Sequence, residues 1–321
     1  MDRSSPPLDV RLHANGKLLL TGEYFVLDGA LALATPVRYG QSLIVRRRQP
    51  PGELRWQSYR PDGGSWFDAT FELPGFSCRR SSDQGAARRL ATILRAAAEQ
   101  RPAFADPSIG LDVETRLDFP RRWGLGSSST LLSLVARWLE VDPFALLKAS
   151  FGGSGYDLAC ATADGPILYQ RHDGRPQYVR FPFAPAFADQ LYFVYLGRKQ
   201  NSRAGIARYR ERVRRRPGLI DRISHLTAAA LTATDLEAFE TALLEHEALV
   251  AATVDLPRAA DLHFPNYWGV VKSLGAWGGD FVLLTSRRDA STTRKNVESC
   301  GFSVFFSYSD LILDKVSGRD E

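Results

Sequence analysis

Between Pro120 and Thr130 the chain reads Pro-Arg-Arg-Trp-Gly-Leu-Gly-Ser-Ser-Ser-Thr, a glycine-containing turn that runs straight into a helical segment. The spacing predicts a helix over 127–140, with Leu131, Leu134, Val135 and Trp138 as its buried stripe. A helix start carries unpaired N–H groups and the positive end of the helix dipole, which together favour an anion. Gly124 and Gly126 would let the backbone approach phosphate oxygens with no Cβ in the way. Ser127, Ser128 and Ser129 can donate to phosphate or ligate Mg²⁺, a hard cation that takes oxygen ligands. The same residues also read as a serine-capped helix after an ordinary turn. The common phosphate loop, G-x-x-x-x-G-K-[ST], is absent.

Around this segment the chain reads as α+β. Short apolar runs at 10–13 and 17–21 flank Ala14-Asn15-Gly16, and strands are expected at 42–48, 54–59 and 66–73. Pro50-Pro51-Gly52 and Pro61-Asp62-Gly63-Gly64 separate them, so an antiparallel meander is expected. Helices are predicted over 86–99 and from Pro143, which suits a first turn. Strands at 109–117, 166–170, 177–183 and 191–196 follow the alternation. Beyond them come helices at 204–215, 219–232 and 236–254, a strand at 281–285, a helix near 292–300 and a strand at 303–308. Two domains, 1–185 and 186–321, are expected, with the boundary near Ala184 to Ala188.

Composition narrows the function classes. The net charge of +5 is nearly all arginine, dense at Arg46-Arg47-Arg48, Arg79-Arg80 and from Arg208 to Arg216. These runs lack interleaved stacking aromatics, so an anionic small molecule is favoured over nucleic acid. Cys78, Cys160 and Cys300 are odd in number and far apart, which argues against a disulfide framework and a zinc site. No apolar run approaches the ~20 residues of a membrane span. The N-terminus does not read as a signal peptide, and the cytoplasm is the expected location.

Three further segments carry candidate chemistry. In Gly152-Gly-Ser-Gly-Tyr-Asp157 a carboxylate follows a flexible turn and could take a proton from a hydroxyl, although a turn or cap residue reads the same. In Asn15-Gly-Lys-Leu-Leu-Leu-Thr-Gly-Glu-Tyr24, Lys17 at a strand start could neutralise a transferring phosphoryl group, or be a surface lysine. In Lys272-Ser-Leu-Gly-Ala-Trp-Gly-Gly-Asp280, glycines sit between a helical segment and an apolar strand. Gly197-Arg-Lys-Gln-Asn-Ser-Arg203 is a cationic loop able to grip a carboxylate or phosphate, or simply a solvated helix start.

The order and detail of these segments resemble the GHMP small-molecule kinases, the group of galactokinase, homoserine kinase, mevalonate kinase and phosphomevalonate kinase. Three motifs carry the resemblance across nearly the whole chain: Asn15 to Tyr24, Pro120 to Ser129 and Gly275 to Asp280. Thr21-Gly-Glu-Tyr and Gly278-Gly-Asp280 look most like the phosphomevalonate branch. Gly155-Tyr-Asp-Leu-Ala159 looks like a bacterial subgroup with a G-Y-D-I-A motif.

The resemblance implies a two-domain α+β fold, with an N-terminal domain like ribosomal S5 domain 2 and a ferredoxin-like C-terminal domain. It implies ATP and Mg²⁺ as cofactors and a small anionic acceptor, with mevalonate or phosphomevalonate first. It makes Asp157 the base and Lys17 its charged partner. Gly124, Leu125, Gly126, Ser127, Ser128 and Ser129 would hold the nucleotide, with Ser128 on the metal. Glu23, Tyr24, Lys199, Ser202, Gly275, Ala276 and Asp280 would hold the substrate. A homodimer is left open.

Three departures stand out. Asn15 replaces a proline, and Trp277 replaces a glycine, so its bulk either narrows the substrate site or points away from it. The helix over 144–150 lacks the acidic metal ligand of mevalonate kinases. A sugar or amino-acid kinase and a catalytically inactive ligand-binding relative are the alternative readings.

Overall fold

The chain passes back and forth between two compact units. One gathers residues up to 16, 39–121 and 126–162, and the other 17–38, 122–125 and everything from 163 onward. The structure is a computed structural model that describes residues 9–197, 202–213, 218–275, 277 and 279–315.

Strands β1 (Val10–Leu19) and β2 (Ala32–Arg47) start in one unit and end in the other. Asn15-Gly16 is therefore no turn, and the two expected runs are one continuous strand. β2 begins ten residues before the predicted start at 42. Pro36 hides it in the sequence, because proline cannot donate to a ladder. Here Pro36 falls between two pairing segments, Ala32–Ala34 with one neighbour and Gln41–Arg47 with another.

The first unit continues with β3 (Glu53–Tyr59), β4 (Ser65–Glu72), β5 (Ser77–Ser81), α1 (Gln84–Gln100), β6 (Leu111–Leu117), α2 (Ser127–Leu139), α3 (Pro143–Ser150) and α4 (Tyr156–Thr162). Strands β3, β4 and β5 are antiparallel, but β6 lies between β2 and β3 and runs parallel to β3. The expected meander is thus interrupted by a strand that arrives only after α1. Alternation along β3 buries Leu54, Trp56 and Ser58. Leu90, Ile93, Leu94 and Ala97 of α1 are buried as the spacing predicts, and Asp83 Oδ1 caps the helix by accepting the Ala86 N–H at 2.9 Å. In α2, Leu134, Val135 and Trp138 are buried, whereas Leu131 is half-buried and Leu132 takes the core position.

In the second unit the first residues of β2 pair with β7 (Ile167–His172), which pairs with β8 (Arg175–Arg180). Then follow β9 (Leu191–Tyr195), α5 (Ser202–Val213), α6 (Leu219–Thr232), α7 (Leu236–Val254), α8 (Ala259–His263), β10 (Val271–Leu274), β11 (Phe281–Thr285), α9 (Ala290–Ser299), β12 (Phe305–Ser307) and α10 (Tyr308–Leu311). The last sheet has the order β10-β11-β9-β12 and is antiparallel throughout. Strand, helices, hairpin, helix and strand in this order make the ferredoxin-like βαββαβ arrangement. The helical segment expected before Gly275 is instead β10, a four-residue run too short to show a period. Among the described residues no helix is long and apolar enough to cross a membrane.

Gly40 of β2 lies tightly against β1. A Cβ there would lie 2.3 Å from the Ala14 carbonyl oxygen and 2.5 Å from the His13 ring. Gly40→Ala is expected to cost about 1–3 kcal/mol, the range for overpacking. Denaturant unfolding reads it, and an unchanged midpoint would refute that close approach.

Candidate active site

In the second unit, ring packing and three hydrogen bonds fix the turn from Arg122 to Leu125. The Trp123 ring stands edge-on to Phe281 and Phe306, with centroids 6.2 and 5.6 Å away. Tyr195 Oη donates to the Arg122 carbonyl at 2.9 Å. The Lys17 N–H donates to the Leu125 carbonyl at 3.0 Å, and Lys17 Nζ donates to the Gly124 carbonyl at 2.9 Å. The lysine of the first motif and the turn of the second are therefore one hydrogen-bonded structure.

Gly124 has φ 73, and a Cβ on it would sit 2.3–2.6 Å from the carboxyl group of Asp280. The space that the sequence reading reserves for a phosphate is filled by a side chain of the third motif. Glycine is required here to admit Asp280 against the turn. Asp280 itself is buried and holds a left-handed φ of 47. Gly275, at φ 68, lies near it, with its would-be Cβ 4.0 Å from Oδ2.

In the first unit, Gly126 (φ 92) caps α2 with no side-chain hydrogen bond to the helix start. The first N–H groups of any α-helix have no partner within the helix, so this end is suited to an anion. Ser128 is exposed and Ser127 half-buried, whereas Ser129 is buried and donates its hydroxyl to the Gly126 carbonyl at 2.8 Å. Thr130 Oγ1, fully buried, donates to Gln41 Oε1 at 2.6 Å and pins the first turn to β2. Asp157 is the second residue of α4, half-buried, directly after Gly155 (φ 91) and Tyr156. Its Oδ1 accepts the Leu158 N–H at 3.1 Å, and α4 packs along α2.

The other expected substrate residues divide. Tyr24 has a positive φ of 62, a costly conformation for a bulky side chain. It is held by stacking on Tyr209 and by its Oη accepting the Trp277 N–H at 3.0 Å. Burial raises its hydroxyl pKa. Glu23 turns inward: it is fully buried, and its Oε1 accepts from Lys272 Nζ at 2.6 Å. Ser202 begins α5. Lys199 and Ala276 lie outside the described residues. Trp277 points away from its loop into a core with Phe25, Tyr209, Ile223 and Val250, and its indole donates to the Pro257 carbonyl at 2.9 Å. Among the described residues no three His, Cys, Asp or Glu side chains gather to hold a metal. Ser128 fits a lone oxygen ligand to Mg²⁺, which readily keeps waters.

Trp123, Lys272, Glu247 and His246 are what sequence reasoning missed. Around Lys272, which is fully buried, Glu247 Oε2 lies at 3.9 Å and accepts, with Oε1, the Ser273 N–H at 3.1 Å. His246 Nε2 accepts the Gly22 N–H at 2.9 Å, so that nitrogen carries a lone pair. Its 3.6 Å approach to Glu23 Oε2 is therefore no ion pair. Burial, reinforced by Lys272, holds the imidazole well below its usual pKa. Little in the sequence warned of His246 and Glu247, because they lie in a helix that also carries Glu237, Glu240 and Glu245.

A scan of known protein families finds no matching model, and a search of curated proteins finds no relative. Solved structures do match. L. major mevalonate kinase, solved with R-mevalonate, is 19% identical with a TM-score of 0.65, covering 92% of this chain and 93% of its own. Streptococcus pneumoniae phosphomevalonate kinase, solved with phosphomevalonate and AMPPNP, gives 16%, 0.69, and coverage of 92% and 98%. Lactococcus lactis galactokinase, solved with galactose, gives 13%, 0.67, and 92% of each chain. The chain has the two-domain α+β fold of these small-molecule kinases.

Burial raises the Glu247 carboxyl to about 7, against the pull of Lys272. A carboxyl raised in the folded state stabilises fully below its unfolded pKa, and that contribution is lost as pH rises through the folded value. The stability of the parent protein relative to Glu247→Gln should therefore fall between about pH 5 and 8. Unfolding midpoints of both proteins across that window check it, and parallel curves would refute the raised carboxyl.

Proposed function

We propose that the protein is an ATP-dependent small-molecule kinase, with mevalonate or phosphomevalonate as its acceptor. The observation that carries the reading is the double attachment of Lys17. Its N–H and its ammonium both bond the turn at Gly124 and Leu125, immediately ahead of a helix start that has no side-chain cap. A cation built into such a turn suits a polyphosphate better than any uncharged ligand.

The residues present fit ATP and Mg²⁺. The amides of Ser127 and Ser128 and the exposed Ser128 hydroxyl offer donors and a hard oxygen ligand. Bound MgATP would supply the transferable phosphoryl group. Lys17 would stabilise the negative charge that develops during transfer, from a position fixed by two carbonyls. Asp157 would hold the proton leaving an acceptor hydroxyl, at a carboxylate mounted behind a glycine turn. Asp280 would orient the turn by filling the place of a Gly124 side chain.

The choice of acceptor rests on the motif details Thr21-Gly-Glu-Tyr24 and Gly278-Gly-Asp280 and on the arginine-rich charge balance, which attracts anions. Fold likeness does not separate acceptors, since the galactokinase aligns as well as the mevalonate enzymes. ADP release should therefore be measured with mevalonate, phosphomevalonate, galactose and homoserine. Release with either mevalonate compound is expected, and release only with galactose or homoserine would overturn the acceptor while leaving the kinase. No release with any acceptor, with no ATP binding by calorimetry, would overturn the kinase.

Asp157→Asn and Lys17→Met divide the two mevalonate compounds. Mevalonate presents a hydroxyl that needs a base, and losing a positioned base costs about 10²–10⁴-fold in kcat. Phosphomevalonate presents an ionised phosphate, which needs charge neutralisation instead. A dominant Asp157 effect is expected for a hydroxyl acceptor and a dominant Lys17 effect for a phosphate. Near-normal turnover in both variants would remove both residues from the mechanism.

A further inference from the structure

We infer that Lys272 is a positioning residue whose ion pair with Glu23 sets the segment bearing Lys17 against the turn bearing Asp280. The inference rests on the kinase reading only in taking those two segments as parts of one site. The pair is sealed, with both side chains at 0% exposure and 2.6 Å between Nζ and Oε1. Lys272 Nζ also donates to the Ser273 carbonyl at 2.9 Å, which ties the ammonium to its own strand. Glu23 stands six residues after Lys17, and Lys272 stands eight before Asp280. One contact therefore joins the first motif to the third.

The neighbours reinforce the same junction. Gly22 gives its N–H to His246 of α7, and Thr21 Oγ1 accepts from Thr227 of α6 at 3.0 Å. Glu247 of α7 binds both the N–H and the hydroxyl of Ser273, at 3.1 and 2.8 Å. One helix thus grips the segment around Glu23 and the strand of Lys272 through adjacent residues, His246 and Glu247. Stability alone is a weak reason to keep such a pair, because apolar residues of similar volume often serve equally well. A directional pair does what apolar packing cannot: it fixes the register of two backbones through fixed donors and acceptors.

Lys272→Met alone strands a buried carboxylate and is expected to unfold or melt early. Lys272→Met combined with Glu23→Gln removes both charges and should recover most of the lost midpoint. If the pair positions the site, the double variant keeps its ATP KM within about threefold while kcat falls at least tenfold. Val297→Ala, a core truncation in α9, serves as the comparison at similar midpoint loss and should keep kcat.

Hydrogen exchange supplies a readout independent of turnover. Amides over 17–24 and 271–285 should exchange at least tenfold faster in the double variant, with little change in Val297→Ala. Should the double variant fail to fold, Glu23→Gln alone, which keeps an acceptor for Lys272, carries the same exchange test. Parent kcat together with parent exchange in both segments would overturn the inference and leave the pair a stability element. If the parent protein neither releases ADP with any acceptor nor binds ATP, the kinase reading fails, and exchange still decides the role of the pair.

Discussion

A lysine ammonium sealed from water must find its counter-charge where it lies, and Lys272 finds it in Glu23. Removing both ions from solvent costs several kcal/mol each, returned only when the geometry is close and the remaining hydrogen-bonding groups are met. The second unit meets the ammonium with the Ser273 carbonyl and the nearby Glu247 carboxyl, while Glu23 Oε2 finds no hydrogen-bond partner among the described residues. The loop after β1, the strand β10 and the middle of α7 must all be in place before the ammonium is neutralised. The candidate site segments hang from that junction on either side, Lys17 to the one and Asp280 to the other.

Much of the fold was legible because its elements are long or strongly periodic. The helices α1, α6 and α7 and the strands β3, β9 and β11 stand where hydrophobic spacing predicts them. Local signals failed where a strand gains its order from distant partners. Asn15-Gly16 reads as a turn, yet β1 continues through it as a partner of β2, and β2 in turn is paired by β6 and β7, far along the chain. β10 failed for the same reason, since a four-residue strand is defined by its hairpin with β11.

At the site, motif order marked Lys17, Gly124, Ser128, Asp157 and Asp280, but not what each touches. Gly124 shows the difference. A sequence shows that a side chain is absent and leaves open what occupies the space; here it is the carboxyl of Asp280, 156 residues later. Trp277 shows the converse, because a large residue within a glycine-rich loop does not intrude if its indole has a core to enter and a carbonyl to bind. Trp123 and His246 gave no usable sign at all, as aromatic and imidazole rings are ordinary core material until their neighbours are known.

The interleaving of the two units has a consequence for synthesis. Residues 17–38 contribute Tyr24, Phe25 and Ala30 to a core of the second unit, and that core is closed by Tyr209, Ile223, Val250 and Val254 of α5, α6 and α7, after residue 200. Ribosomes add about 5–20 residues per second, so this apolar stretch waits on the order of ten seconds or more before its own unit can close. The first unit, complete once Thr162 has emerged, can condense around its sheet in the meantime. The nascent chain thus carries a finished half and an exposed N-terminal strand together, the interval in which a holdase chaperone would have most to bind.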